Sequence, residues 1–230
     1  MAVSVEKKRD TYHHGDLRSA LIDAAEAELT GGGVQGFSLR RVAARVGVSH
    51  SAPSHHFGDT QGLLVALGVR AFEQVLAAME TRSRDIVDPA ERVVASGLGY
   101  IDFAQTHPAM FRLIFGSDMI CQGSAELDRA GQAAFDHFAR SISLVEGEVH
   151  ADSPAPVAFL ETVHTVWTIT HGFAEMKLGG RLDGLDDGGG ERIEQMFRRS
   201  VVAVLRELHP LNHLDASKNC PDNAGWAAGG

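Results

Sequence analysis

A chain of 230 residues with a hydrophobic share of 44% is long enough for one large domain or a small domain packed on a larger one. No stretch approaches the roughly 20 consecutive apolar residues that span a bilayer, and Lys7, Lys8 and Arg9 have no apolar run behind them, which argues against a secretory signal, against a membrane and for the cytoplasm. A net charge of −9 weighs against a nucleic-acid partner until it is divided along the chain: residues 1–60 hold seven Lys/Arg and seven Asp/Glu, so the deficit lies wholly in residues 61–230.

Residues 1–12 are polar with mixed charge and read as a flexible arm ahead of a helical unit at 13–60. The first helix is expected to open near Asp16, a good cap, with Leu17, Leu21, Ala24, Ala25 and Glu28–Leu29 on one face, and to end at Gly31-Gly32-Gly33. Ser38 suits the N-cap of a second helix, and Phe37 and Val42 are placed for a hydrophobic staple. Leu39, Val42, Ala43 and Val46 face inward there, and Gly47 falls where a left-handed C-terminal cap is wanted. Ser49 is placed to cap a short third helix, in whose first turn Pro53 must lie if it is not to kink it. A long helix follows from Thr60 to about Arg84, with Leu63, Leu64, Leu67, Ala71, Val75 and Met79 as its apolar stripe.

Beyond it, helices are expected from Pro89 to about Gln105, over Pro108–Phe115, Ser124–Glu148 and Val157–Leu178, and, after a Gly188-Gly189-Gly190 turn, over Glu191–Leu208. No strand alternation and no repeat occurs. The predicted fold is therefore all-α: a three-helix N-terminal helix-turn-helix domain, with its motif at 38–57, and a larger C-terminal bundle at 61–208, about nine helices in all. Residues 209–230, past the stop at Pro210, read as a disordered tail. Val157–Leu178 and Glu191–Leu208 carry more apolar surface than one bundle face uses, which predicts a two-fold homodimer through these last two long helices.

Ser38–Phe57 carries the chemistry. It holds Arg40, Arg41, Arg45, His50, His55 and His56 and no carboxylate. Helix, glycine turn and a helix rich in small residues (Ser51, Ala52, Ser54) is a form that sits deep in a major groove, where His50 and His55 reach base edges or phosphates. Ser38 sets backbone N–H groups where a phosphate oxygen is welcome. An acidic remainder keeps DNA off the other surfaces.

From His14-Gly15-Asp16-Leu17 through Gly36-Phe37-Ser38, Val42-Ala43, Gly47-Val48-Ser49 and His56-Phe57 to Leu63-Leu64, the chain resembles the TetR family of transcription regulators. The resemblance implies DNA binding to a pseudo-palindromic operator, with repression the usual outcome. It assigns Ser38 as a phosphate-binding cap, Arg40 and Arg41 as phosphate or groove contacts, and Ser49, His50, Ser51, Ala52, Ser54, His55 and His56 as the recognition segment. Two departures stand out: Pro53-Ser54 replaces the common Leu-Tyr, and Thr60 replaces the common lysine of the fourth helix.

His107-Pro108 through Phe115 resembles the short sixth helix of many members, and Trp167-Thr-Ile-Thr-His171-Gly172 resembles the Trp-His-Gly signature of one C-terminal subgroup. Phe103, His107, Phe111, Phe115, Phe135 and Phe138, with Trp167, are placed to surround a small hydrophobic effector, with His164 or His171 as its polar anchor. The competing reading is a plain aromatic core. No metal is expected, Glu161/His164 being the least implausible pair, and no cofactor or catalytic motif is present. The two distant thiols, Cys121 and Cys220, suit a reducing compartment, a redox switch being less favoured. The rival function is an all-helical scaffold or protein-binding module that does not bind DNA.

Overall fold

The computed structural model describes residues 14–116, 124–146, 156–185 and 190–208. The expected arm, the tail, and both Cys121 and Cys220 lie outside them. Among the described residues the chain forms nine α-helices and no strand: α1 (His14–Gly32), α2 (Leu39–Val46), α3 (Ala52–Phe57), α4 (Thr60–Ser83), α5 (Pro89–Thr106), α6 (Pro108–Phe115), α7 (Ala125–Glu146), α8 (Val157–Leu178) and α9 (Glu191–Leu208).

Local chemistry sets most boundaries. Asp59 caps α4 by accepting from the Gly62 N–H at 2.9 Å, and Asp88 caps α5 by accepting from the Glu91 N–H at 2.8 Å, with Pro89 opening the helix. Two expectations are corrected. The first helix begins at His14, so Asp16 lies inside its first turn and is not its cap. The third helix has Ser51, not Ser49, at its N-cap; the Ser49 hydroxyl turns to that of Ser51 at 3.1 Å and leaves capping to backbone bonds.

One core runs through the molecule, from Leu21 of α1 to Leu205 of α9. Helix α4 joins the two parts: its N-terminal half packs on α1 and α3, and its length lies along α5 and α7. By length and composition α4 is apolar enough to cross a membrane, an exception to the sequence reading, yet Leu63, Leu64, Leu67, Ala71, Val75 and Met79 are all fully buried in the bundle. Helix α5 is central and touches α4, α6, α7, α8 and α9. Its close approach to α4 depends on Gly99, where a β-carbon would meet the Ala78 carbonyl oxygen at 2.5 Å.

Candidate nucleic-acid interface

Helices α2 and α3 are held at a fixed angle by their turn. Ser38 stands at the α2 N-cap in extended conformation, its hydroxyl oxygen accepting from the Arg41 N–H at 3.5 Å. At the other end Gly47, at φ 76°, donates to the Ala44 carbonyl while Val48 donates to that of Ala43, closing a Schellman turn. Pro53 lies in the first turn of α3 and is buried, so it serves as the hydrophobic foot of that short helix. Gly58, at φ 80°, ends it.

This geometry leaves Arg40, Ser49, His50, Ser51, Ser54 and His55 exposed to solvent, with Ser38, Ala52, His56 and Thr60 half-buried. Arg40 and the histidines are thus available to an incoming polyanion.

Arg41 behaves differently. It donates to the carboxylate of Glu28 on α1 and to the Gly36 carbonyl, and Arg45 donates to the second Glu28 oxygen at 3.3 Å. Glu28 is only 4% exposed, and the Arg41 hydrogen bond, aided by Arg45, holds its carboxyl below the ordinary carboxylate range. The motif itself contains no acid, but the fold supplies one from α1, so its cationic face is smaller than the sequence implies. Both arginine side chains remain more than half exposed, 58% and 51%.

Glu28 was legible only as a member of the apolar face. Its signal was a carboxylate one step from Leu29 and three from Ala25, a buried position that requires a cationic partner. Arg18 is a second residue the sequence reading passed over: its guanidinium lies 5.2 Å above the Phe57 ring and ties α1 to the end of α3.

In the body, six of the nine candidate ligand residues form one ring cluster, and a seventh, His164, touches it through Phe135. Phe111, Phe115, Phe135, Phe138, Trp167 and His171 stand ring against ring at centroid distances of 5.0 to 6.4 Å, so they occupy one another's space. Phe103 and His107 instead stack on each other at 5.2 Å. His164 is exposed, its Nδ1 2.7 Å from the Leu160 carbonyl oxygen and its ring 5.6 Å from Phe135.

The centre of the cluster is Tyr100, which the sequence reading did not single out. It is fully buried, packs on Phe111, Phe115 and Trp167, and its hydroxyl lies 2.8 Å from Nδ1 of His171. Burial raises the phenol's pKa far above its ordinary value, so Tyr100 stays protonated and its hydroxyl shares a hydrogen bond with Nδ1 of His171. Nε2 of His171 faces the Glu175 carboxylate at 3.9 Å. A tyrosine within an apolar helix needs such a partner, and that requirement was the available signal.

The class these features define is a helix-turn-helix regulator carried on a helical body. Residues 21–67 match the model of bacterial regulatory proteins of the tetR family, and residues 93–204 match that of the tetracyclin repressor-like C-terminal domain. The chain belongs to the TetR family of transcriptional regulators. It is 32% identical over 97 residues to the HTH-type transcriptional regulator BetI of Serratia proteamaculans (strain 568), an alignment covering 41% of this chain and 49% of that one. It is thus aligned with about half the length of this curated relative. A protein of unknown function from Rhodococcus sp. RHA1 has the same fold at 30% identity and a TM-score of 0.71, over 86% of this chain and 98% of the other. A TetR variant from Acinetobacter baumannii AYE, solved in complex with minocycline, shares the fold at 19% identity and a TM-score of 0.54, over 84% and 93% of the two chains.

Proposed function

We propose that this protein binds a pseudo-palindromic double-stranded DNA operator as a cytoplasmic homodimer, represses transcription there, and is released by a small molecule bound in the C-terminal body. The observation that carries the reading is the exposed face formed by Arg40, Ser49, His50, Ser51, Ser54 and His55 on a head whose other side is buried against α4. Histidine and serine at that face reach base edges, and Arg40 reaches phosphate. Arg41 and Arg45 act from the flank, oriented by Glu28.

Dimerisation through α8 and α9 is supported by what α8 leaves uncovered. Val157, Leu160 and Met176 are exposed, and a β-carbon at Gly172 would meet nothing within 4 Å, which leaves room for a second helix. A two-fold pair sets two heads on successive half-sites. Light scattering at micromolar concentration is expected to give a dimer, and a monomer contradicts this part.

For the effector, the supporting observations are the aromatic cluster around Trp167 and the fold relative that holds minocycline. A hydrophobic effector there has to part rings that already touch, and His171 is its nearest anchor because His164 is exposed. We place the Trp167, His171 and Gly172 motif with the Trp-His-Gly subgroup on the same ground.

The test of DNA binding is fluorescence anisotropy with the DNA upstream of the protein's own gene. Because Arg41 also holds Glu28, the clean variant is Arg40→Ala with His55→Ala, both exposed. Binding at least about tenfold weaker is expected, one base contact being worth about 1–3 kcal/mol. Wild-type affinity in that variant, with its melting temperature unchanged, sinks the assignment.

A further inference from the structure

A cavity of about 440 Å³ lies between the C-terminal end of α4, the N-terminal end of α5 and the C-terminal half of α7. It is within the size range of small-molecule sites and shares no residue with the aromatic cluster or the DNA-binding face.

Its charge is one-sided. Among the described residues, Arg84 just past α4, Arg92 of α5 and Arg140 of α7 line it against a single carboxylate, Glu80. Arg92 is clamped, donating through Nε and Nη2 to the Ile86 carbonyl at 2.9 and 2.7 Å, which fixes its charge at the α4–α5 turn. Among the described residues no carboxylate is ion-paired with Arg84 or Arg140, although the other ion pairs of the body are closed.

His137 stands in the same wall. Its Nδ1 is 3.9 Å from Glu80, its buried Nε2 has no hydrogen-bond partner, and so no hydrogen bond fixes its tautomer. Burial holds its imidazole below the ordinary value; Glu80 opposes that, and Arg140 and Arg92 reinforce it. The wall thus sets three arginines and a buried imidazole opposite one described carboxylate.

The serines narrow the recognition. Ser83, Ser141 and Ser143 donate their hydroxyl protons to the carbonyls of Met79, His137 and Arg140 at 2.7, 3.0 and 2.9 Å, so they are not the donors to a ligand. Those donors are the guanidinium groups. Leu144, 45% exposed, and the arginine stems give the cavity an apolar side.

We propose that this cavity binds a small amphipathic anion, a carboxylate or phosphate-monoester head on a short aliphatic body, held by Arg84 and Arg140 with Arg92 behind them. Guanidinium forks match both heads in geometry, and the apolar wall takes the chain. Binding at this site does not depend on the function proposed above; only its use as an effector site rests on that reading.

The probes are hexanoate and hexyl phosphate, with hexanol and inorganic phosphate as the parts, titrated calorimetrically into the full chain at constant ionic strength. At least one of the two amphipathic anions is expected to bind saturably, and more tightly than either part. The double variant Arg84→Gln, Arg140→Gln is expected to weaken it by at least about tenfold, the effect of losing one or more hydrogen bonds between charged groups. Both residues are exposed and unpaired, so the unliganded melting temperature is expected to hold; Arg181→Gln, remote from the cavity, serves as the charge control. The proposal is overturned if neither anion binds at millimolar concentration, if hexanol binds as well as they do, or if the double variant binds like wild type. A probe that binds but leaves operator affinity unchanged overturns only the effector role, whereas no operator binding without any probe counts against the DNA-binding reading alone.

Discussion

The head and the body of this molecule bury their surfaces with different materials. In the head, α1 to α3 are held by aliphatic side chains of modest size, such as Leu21, Leu29 and Val42, and by one buried carboxylate, Glu28, that joins two arginines across helices. In the body, α5 to α8 meet through large rings, with Tyr100 at the centre and one neutral hydrogen bond to His171 as the only polar link described within that cluster. The head keeps its cationic groups at the surface and steadies two of them by an internal acid. The body excludes charge from its centre and gains rigidity from ring packing. A regulator needs both: a reader whose side chains hold their aim, and a support stiff enough to pass on a change in shape.

The largest expected effect lies in the body. Phe111→Ala removes a fully buried ring that packs on Tyr100, Phe115 and His171. It is expected to cost about 3–5 kcal/mol, read by chemical denaturation. Because one core joins both parts, DNA binding is expected to fall with it; loss of the body with an intact, DNA-competent head would show that the two parts are separable.

Glu28→Gln sharpens the comparison from the other side. It removes the charge that orders Arg41 and Arg45 and keeps most of the volume. The expected outcome is a less stable head, seen in amide exchange of α1 and α2, with the α5–α8 amides unchanged. Non-specific DNA binding is expected to show a salt dependence steeper by about 1 to 2 in log–log slope, since two cations are freed.

The same residue predicts a response to acid. Its folded-state carboxyl lies below the ordinary glutamate range, so its stabilisation is complete above that range and is lost as pH falls through the lower folded value. Wild-type head stability is expected to decline over that window and the Glu28→Gln variant to decline less. Equal acid responses would remove Glu28 as the anchor.

Tyr100→Phe is the smallest change. It deletes the hydroxyl bonded to His171 and leaves Nδ1 without its partner, at an expected cost of about 0.5–1.5 kcal/mol with the ring packing retained. A loss as large as that of Phe111→Ala would mean that the hydrogen bond, not the rings, holds the cluster.

By itself the sequence determined the helices, their order and the reader. Apolar spacing recurs over whole helices, and Ser38, Gly47, Pro53, Pro89 and Pro108 act on their own backbone or their nearest neighbours, so their consequences need no distant partner. The cap of α3 falls on Ser51 rather than Ser49, two residues apart in one turn, and α1 opens at His14 rather than near Asp16. Tertiary structure alone decided which charges and rings meet. Glu28 lies 13 residues from Arg41, Tyr100 lies 71 from His171, and the arginines around the α4–α5–α7 cavity come from the end of α4, from α5 and from α7. Nothing in local spacing encodes those encounters, because they depend on how whole helices cross.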